Sequence, residues 1–172
     1  MRIKITFLII FLSVSLAYGA SEDKALYFEG IKSARSGNLD FAFMSFHMLL
    51  EGYPDSKFAP DTLFASAEYY FSIGDYKDAR LALEKIVSEH ADSKPHLFAF
   101  PYLLLMAQAR NDAAAVRDIK KQVASSKQLV LLFRDSKEYT YHSALSKKYK
   151  AVYFIDHVDF YINGDLFAKI PF

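Results

Sequence analysis

Two short segments decide the fold of this chain: residues 35–42 read Arg-Ser-Gly-Asn-Leu-Asp-Phe-Ala, and residues 72–79 read Ser-Ile-Gly-Asp-Tyr-Lys-Asp-Ala. The second begins 37 residues after the first, and the same offset pairs Phe46 with Leu83. Apolar residues recur at intervals of three and four around each Gly-Asx pair, which predicts helices. Because glycine can end one helix and Asn or Asp can cap the next, each segment predicts a tight turn within an antiparallel helix pair.

A third helix pair is expected, because a stack of helix pairs needs at least about three units to bury a stable core. The same offset from Gly74 leads to Asn111, which is followed by Asp112. Pro101 falls where the first helix of this unit should run. Since proline inside a helix costs about 3 kcal/mol, we expect that helix to begin near Phe100 or to kink there.

The repeated units resemble the tetratricopeptide repeat, with its small residue, aromatic residue, Gly-Asx turn, alanine and bulky apolar residue in that order. Residues 53–63, which join the first two repeats, resemble the segment between repeats in members of this family from the bacterial envelope. Those members include outer-membrane assembly lipoproteins and periplasmic cell-division coordinator proteins. The resemblance implies a mainly α fold: a tetratricopeptide-like α-solenoid of about three helix pairs. The matching positions are Gly30, Gly37, Leu39, Ala42, Phe46, Leu49 and Pro54, then Ala67, Tyr70, Gly74, Tyr76, Ala79, Leu83 and Ile86.

The resemblance also implies a binding surface, since the first helix of each repeat in that family lines a concave groove that holds peptides. The partner would be another envelope protein or a peptide. An alternative is that Phe64 and Phe71 belong to the core or are covered by the aromatic C-terminal tail. The implied groove residues are Lys24, Tyr27, Ile31, Asp61, Phe64, Glu68, Phe71, Leu105 and Gln108.

The last part of the chain favours strands over helices. An apolar run occupies residues 128–133, residues 138–142 alternate, and residues 149–162 are rich in Tyr, Val, Phe and Ile. Asn163-Gly164 predicts a two-residue hairpin turn, because a type I′ turn needs two positive φ angles. We therefore predict a small C-terminal antiparallel β-appendage with a hairpin at 158–170. The predicted register sets Phe160 opposite Phe167 and Tyr161 opposite Leu166.

Residues 158–171 also resemble the strand-turn-strand signature of PEGA-type surface domains, although Ala168 replaces the usual Gly and Ile170 the usual Thr. This resemblance implies an alternative function, a cell-wall or glycan-binding protein that acts through the aromatic C-terminal β segment.

The N-terminus has the pattern of a secretory leader. Arg2 and Lys4 precede an apolar run, and small residues at 17 and 19 stand before a cleavage point ahead of Ala20. The run is shorter than the roughly 20 residues that cross a bilayer, so we expect cleavage, no integral membrane span afterwards and a periplasmic or secreted location. A retained leader acting as an anchor is the alternative. The predicted plan is a signal peptide at 1–19, a helical repeat domain at 20–127 and the β-appendage at 128–172.

Composition excludes several kinds of chemistry. The sequence has no cysteine, which excludes disulfides, thiolate metal sites, cysteine nucleophiles and a cysteine-linked acyl anchor within it. Without Arg2 and Lys4 the chain has 19 bases and 20 acids, a balance that gives no attraction to nucleic acid. Charge is nevertheless uneven, with 7 bases and 13 acids in residues 20–93 but 6 bases and 2 acids in residues 94–127. Such an uneven charge distribution usually indicates a solvated helix face. The more specific alternative is that the basic region contacts an acidic surface.

We find no pattern that predicts an active site. The five histidines have no HExxH spacing, and no phosphate-binding glycine loop or nucleophile elbow is present. Asp156, His157 and Asp159 come nearest to a metal cluster, but strand alternation would leave two ligands on one face. We therefore expect no enzyme, no cofactor and no metal. The resemblance of the repeats and the leader together imply an exported interaction scaffold or adaptor of the bacterial envelope, with self-association as an open alternative. A hydrolase would need catalytic groups that the sequence does not display.

Overall fold

The chain forms three antiparallel helix pairs followed by a four-stranded sheet, in a computed structural model that describes residues 22–125 and 137–172. The predicted signal peptide, the apolar run at 128–133 and the predicted boundary at 127/128 lie outside these residues. The described elements are α1 (22–35), α2 (Leu39–Gly52), α3 (Ala59–Ser72), α4 (Tyr76–Glu89), α5 (His96–Ala109), α6 (Ala113–Ser125), β1 (Lys137–His142), β2 (Lys148–Tyr153), β3 (His157–Ile162) and β4 (Asp165–Pro171).

The turns within the helix pairs repeat the same backbone geometry. Gly37 and Gly74 both have a φ of 81°, and Asn111 has a φ of 56°, so all three residues are left-handed. Asparagine tolerates this conformation better than most residues with a side chain. In each turn the next residue caps the following helix by accepting a hydrogen bond from the backbone N–H three residues on. The caps are Asn38, Asp75 and Asp112. The predicted mainly α solenoid of three helix pairs with a β-appendage is confirmed.

The prediction that the first helix of the third pair begins near Phe100 is wrong, because α5 begins at His96 and contains Pro101 within it. The alternative, a kink at that point, stays a prediction. Pro95 precedes the helix, and its carbonyl accepts hydrogen bonds from the N–H groups of Phe98 and Ala99. The described helix buries nine of its 14 residues. Since each large apolar side chain contributes about 1.5–3 kcal/mol when buried, tertiary packing outweighs the local cost of the proline.

The sheet is an antiparallel meander in the order β1-β2-β3-β4. Asn163 and Gly164 have φ angles of 54° and 99°, as a type I′ turn requires. Tyr161 pairs with Leu166, but Phe160 pairs with Ala168 instead of the predicted Phe167.

A bulge in β4 explains why Phe160 pairs with Ala168 and not with the predicted Phe167. Phe167 is an extra residue in β4, and its ring lies 4.8 Å from the ring of Tyr102 on α5. A bulge re-aims a side chain at the cost of local pairing, so contact with the helix outweighs regular pairing here.

One face of the sheet packs against the helices. Tyr141, Tyr149 and Phe160 point to this side and are buried in the same core as residues of α3 and α5. No helix within the described ranges is both long enough and apolar enough to span a bilayer.

Candidate functional site

The sheet lies on part of the implied groove. The ring of Phe64 on α3 is fully buried and makes edge-to-face contacts with two rings of the sheet. Its centroid lies 5.5 Å from that of Tyr141 and 5.2 Å from that of Tyr149. Phe98 of α5 adds a stacked contact with Tyr141 at 5.6 Å. The aromatic tail therefore covers Phe64, and the middle of the implied groove is occupied by the chain's own sheet.

Hydrogen bonds fix the sheet to two acidic residues of α3. The Tyr141 hydroxyl donates to Asp61 Oδ1 at 2.7 Å, and the Tyr149 hydroxyl donates to Glu68 Oε1 at 2.7 Å. The hydroxyl of Tyr102 on α5 lies 2.6 Å from that of Tyr149. Asp61 and Glu68 thus bind the sheet rather than face an open groove.

Glu68 is the most deeply buried ionisable group of this contact, with 2% of its surface exposed. Lys147, in the loop between β1 and β2, places its Nζ 3.2 Å from Glu68 Oε1. Burial raises the pKa of Glu68, whereas Lys147 and the hydrogen bond from Tyr149 oppose that rise. Burial also raises the pKa of Tyr149 and of Tyr102, so both hydroxyls stay protonated as donors at neutral pH.

Two of the implied groove residues of α1, Tyr27 and Ile31, lie beside this contact, because they pack against a core cluster that contains Ala144 of the loop between β1 and β2. Lys24 is exposed, and Tyr27 stacks on Phe58 with ring centroids 4.4 Å apart. Burial, followed by the charge of Asp61, raises the pKa of Tyr27 to about 12. Ile31 and Tyr27 pack against the same small core cluster, which is formed by residues of α1, α2, α3 and the loop between β1 and β2. The sheet and its first loop therefore contact Asp61 and Glu68 on α3 and border Tyr27 and Ile31 on α1.

Two of the implied groove residues line an open cavity. Phe71 and Leu105 line a cavity of about 290 Å³ between α3 and α5, and the adjacent Gln108 is exposed. The Phe71 ring makes edge contacts with Tyr102 at 4.9 Å and Tyr76 at 5.2 Å, so the cavity has firm aromatic walls. The remaining lining residues are Tyr76, Met106, Ala109 and Arg110.

None of these four lining residues is among the implied groove residues, and Tyr76 was identified only as a position that matches the repeat pattern. Tyr76 follows the Gly74-Asp75 turn, and Arg110 precedes Asn111. The position of these two residues beside a turn could have indicated them, because residues next to the turn of a helix pair also border the end of the groove that the resemblance implies.

The Asp156-His157-Asp159 segment differs from the predicted strand alternation. Asp156 lies before β3, and its Oδ1 is 2.6 Å from His157 Nδ1, while Asp159 Oδ1 is 3.6 Å from His157 Nε2. The hydrogen bond to His157 lowers the pKa of Asp156. Among the residues described, no group of three His or acidic side chains could hold a metal ion.

The rings on which the glycan hypothesis depended are mainly turned toward the helices. Tyr141, Tyr149, Tyr153 and Phe160 are buried. On the other face, Tyr161 lies under the Lys150 ammonium, 5.0 Å from the ring centroid.

Comparisons with known proteins agree with the repeat architecture. The YfiO family model, described as an outer membrane lipoprotein, matches residues 19–152, which include every described helix, β1 and most of β2. No curated protein was found to match the chain. Because the family model covers most of the sequence, the chain belongs to the YfiO family of outer membrane lipoproteins, a tetratricopeptide-type family of the bacterial envelope.

Proposed function

We propose that this protein is an exported scaffold of the cell envelope that binds a partner protein during outer-membrane assembly, through the open end of its groove. Membership of an outer membrane lipoprotein family supports the location and the kind of partner. The cavity at Phe71 and Leu105 is the observation that carries the proposal. It is the part of the implied groove that the sheet leaves accessible to another chain.

The lining of the cavity defines the chemistry of the partner segment. Phe71, Leu105 and Met106 offer apolar contact, which suits one or two apolar anchor side chains. Arg110 is exposed at the rim and forms no ion pair with any other residue in the described ranges. A guanidinium in this position favours an acidic group next to the anchor.

Photo-cross-linking in cells tests the proposal. A benzoylphenylalanine at position 105 would lie in the cavity, and the same residue at position 81 would lie on an exposed part of α4. We expect position 105 alone to cross-link an envelope protein, and Arg110→Glu to reduce that product strongly. Identical products from both positions, or no product at 105, would contradict binding in the cavity.

A binding role without catalysis and a location on the periplasmic side belong to the same proposal. The leader at 1–19 would direct export, and protein contacts would hold the cysteine-free mature chain at the envelope. N-terminal sequencing of protein from the periplasm should give Ala20 as its first residue. Recovery of the protein only with Met1 intact would contradict removal of the leader.

A further inference from the structure

The outer side of α2 carries a row of exposed apolar side chains. Phe41, Met44 and Met48 are exposed to 60%, 55% and 55%. Their spacing of three and four residues places them on one face of the helix, over a length of about 10 Å. This face, defined by these three residues and called the α2 stripe, is separate from the buried face formed by Ala42, Phe46 and Leu49.

Repeat packing does not require the α2 stripe, because the later repeats do without it. The 37-residue offset that aligns the three helix caps carries Phe41, Met44 and Met48 onto α4 and then onto α6. In α4 only the central position is a large apolar residue, and in α6 none is. The aligned residues are Asp78, Leu81 and Lys85 in α4, and Ala115, Asp118 and Gln122 in α6.

Single exposed apolar residues are common on protein surfaces, but an aligned row of three marks a contact surface. Methionine supplies two of the three side chains. Its flexible, polarisable thioether adapts to irregular partners, and it is typical of surfaces that receive amphipathic helices. A helix with apolar residues at intervals of three and four would cover the stripe by packing along α2.

Charge decides between the available occupants. Residues 22–52, which form the first helix pair, contain five acids and three bases, and neither Lys nor Arg occurs on α2 itself. Glu51 continues beyond the stripe at the end of α2 and is exposed, as are Glu22 and Glu29 on α1. An anionic lipid surface or a second copy of this acidic region would be repelled, whereas a basic partner would be attracted.

We infer that the α2 stripe binds an amphipathic helix of another protein whose polar face is basic. Apolar side chains of that helix would cover Phe41, Met44 and Met48, and its Lys or Arg residues would lie among the acids of the first repeat. This surface is separate from the cavity at Leu105 and does not depend on the function proposed for it.

A pair of designed peptides tests the inference. One is a labelled amphipathic helix with leucines at intervals of three and four and lysines elsewhere, and its twin has glutamate at every lysine position. The Met44→Gln/Met48→Gln variant removes most of the stripe while retaining good helix formers. The matched control is Ile73→Gln/Leu81→Gln, which removes two comparably exposed apolar residues elsewhere.

Fluorescence anisotropy should show that the lysine peptide binds the unchanged protein and the control variant, and that Met44→Gln/Met48→Gln weakens binding at least tenfold. A Leu105→Glu variant should bind the peptide normally. The glutamate peptide should not bind. Circular dichroism establishes that the variants are folded.

Three outcomes would overturn the inference. Equal binding of the lysine peptide by the stripe variant and the control variant would show that general acidity suffices. Equal binding of both peptides would remove the role of charge. A dimer in sedimentation velocity, or binding to phosphatidylglycerol vesicles, that Met44→Gln/Met48→Gln abolishes would assign the stripe to a second copy or to lipid.

Discussion

Replacing Tyr149 with phenylalanine removes a single oxygen atom from the centre of the contact between the sheet and the helices. That oxygen donates a hydrogen bond to Glu68 and is hydrogen-bonded to the Tyr102 hydroxyl. Tyr153, on the same strand and also buried, is the matched control, because its hydroxyl has no hydrogen-bond partner among the described residues. The two substitutions make the same chemical change in opposite hydrogen-bonding environments.

The two bonds set the size of the expected effect. A neutral hydrogen bond contributes about 0.5–1.5 kcal/mol net, and one to a charged group contributes about 1.5–3 kcal/mol. At a pH above the raised pKa of Glu68, where the carboxylate is ionised, Tyr149→Phe removes one bond of each kind, so the free energy of unfolding should fall by about 2–4.5 kcal/mol. Tyr153→Phe removes an unpaired buried hydroxyl and should leave stability unchanged or slightly higher.

Urea denaturation followed by circular dichroism measures both values. A double-mutant cycle that combines Tyr149→Phe with Glu68→Gln should give a coupling energy of about 1 kcal/mol or more, because the two side chains share one hydrogen bond. Equal stability losses for Tyr149→Phe and Tyr153→Phe would refute the idea that these hydrogen bonds hold the sheet in place.

Three further predictions follow from the same structure. Gly30→Ala should destabilise the protein by about 1–2 kcal/mol in urea denaturation, because the new Cβ would overlap the buried ring of Phe46, whereas Gly52→Ala, which meets open space, should be neutral or stabilising. Asp75→Ala should lower the free energy of unfolding by about 1 kcal/mol through loss of the α4 cap, and an unchanged value would count against that cap. Because burial raises the pKa of Glu68 in the folded state, protonation of Glu68 favours folding. The stabilising contribution of the protonated group is complete below the ordinary pKa of 4.5 and is lost as pH rises through the raised pKa. Stability of the unchanged protein relative to Glu68→Gln should therefore fall from pH 4 toward pH 8 in thermal unfolding, and a parallel pH dependence would contradict the raised pKa.

Features set by neighbouring residues could be predicted from the sequence. The left-handed turns at Gly37, Gly74 and Asn111 depend only on local backbone preference, and so do the capping residues that follow them. The helical period and the hairpin turn at Asn163 are local in the same sense. These signals fixed the fold class because a repeat presents the same local pattern more than once.

Features set by distant partners could not be predicted. The start of α5 depends on burial around Pro101, and the register of Phe160 depends on the contact between Phe167 and Tyr102. The covering of Phe64 depends on Tyr141 and Tyr149, roughly 80 residues further along the chain. Periodicity places a side chain on a face but does not say what lies opposite that face.

The position of the sheet also changes how the whole molecule should unfold. In a simple array of repeats each unit touches only its neighbours, so the ends can fray while the centre stays intact. Here a segment at the C-terminus binds α3, in the second of three repeats, through Asp61 and Glu68. This contact joins the C-terminal sheet to the second repeat and so closes a loop across the later repeats. We therefore expect the later repeats and the sheet to unfold together, and the curvature of the solenoid to be constrained by the sheet.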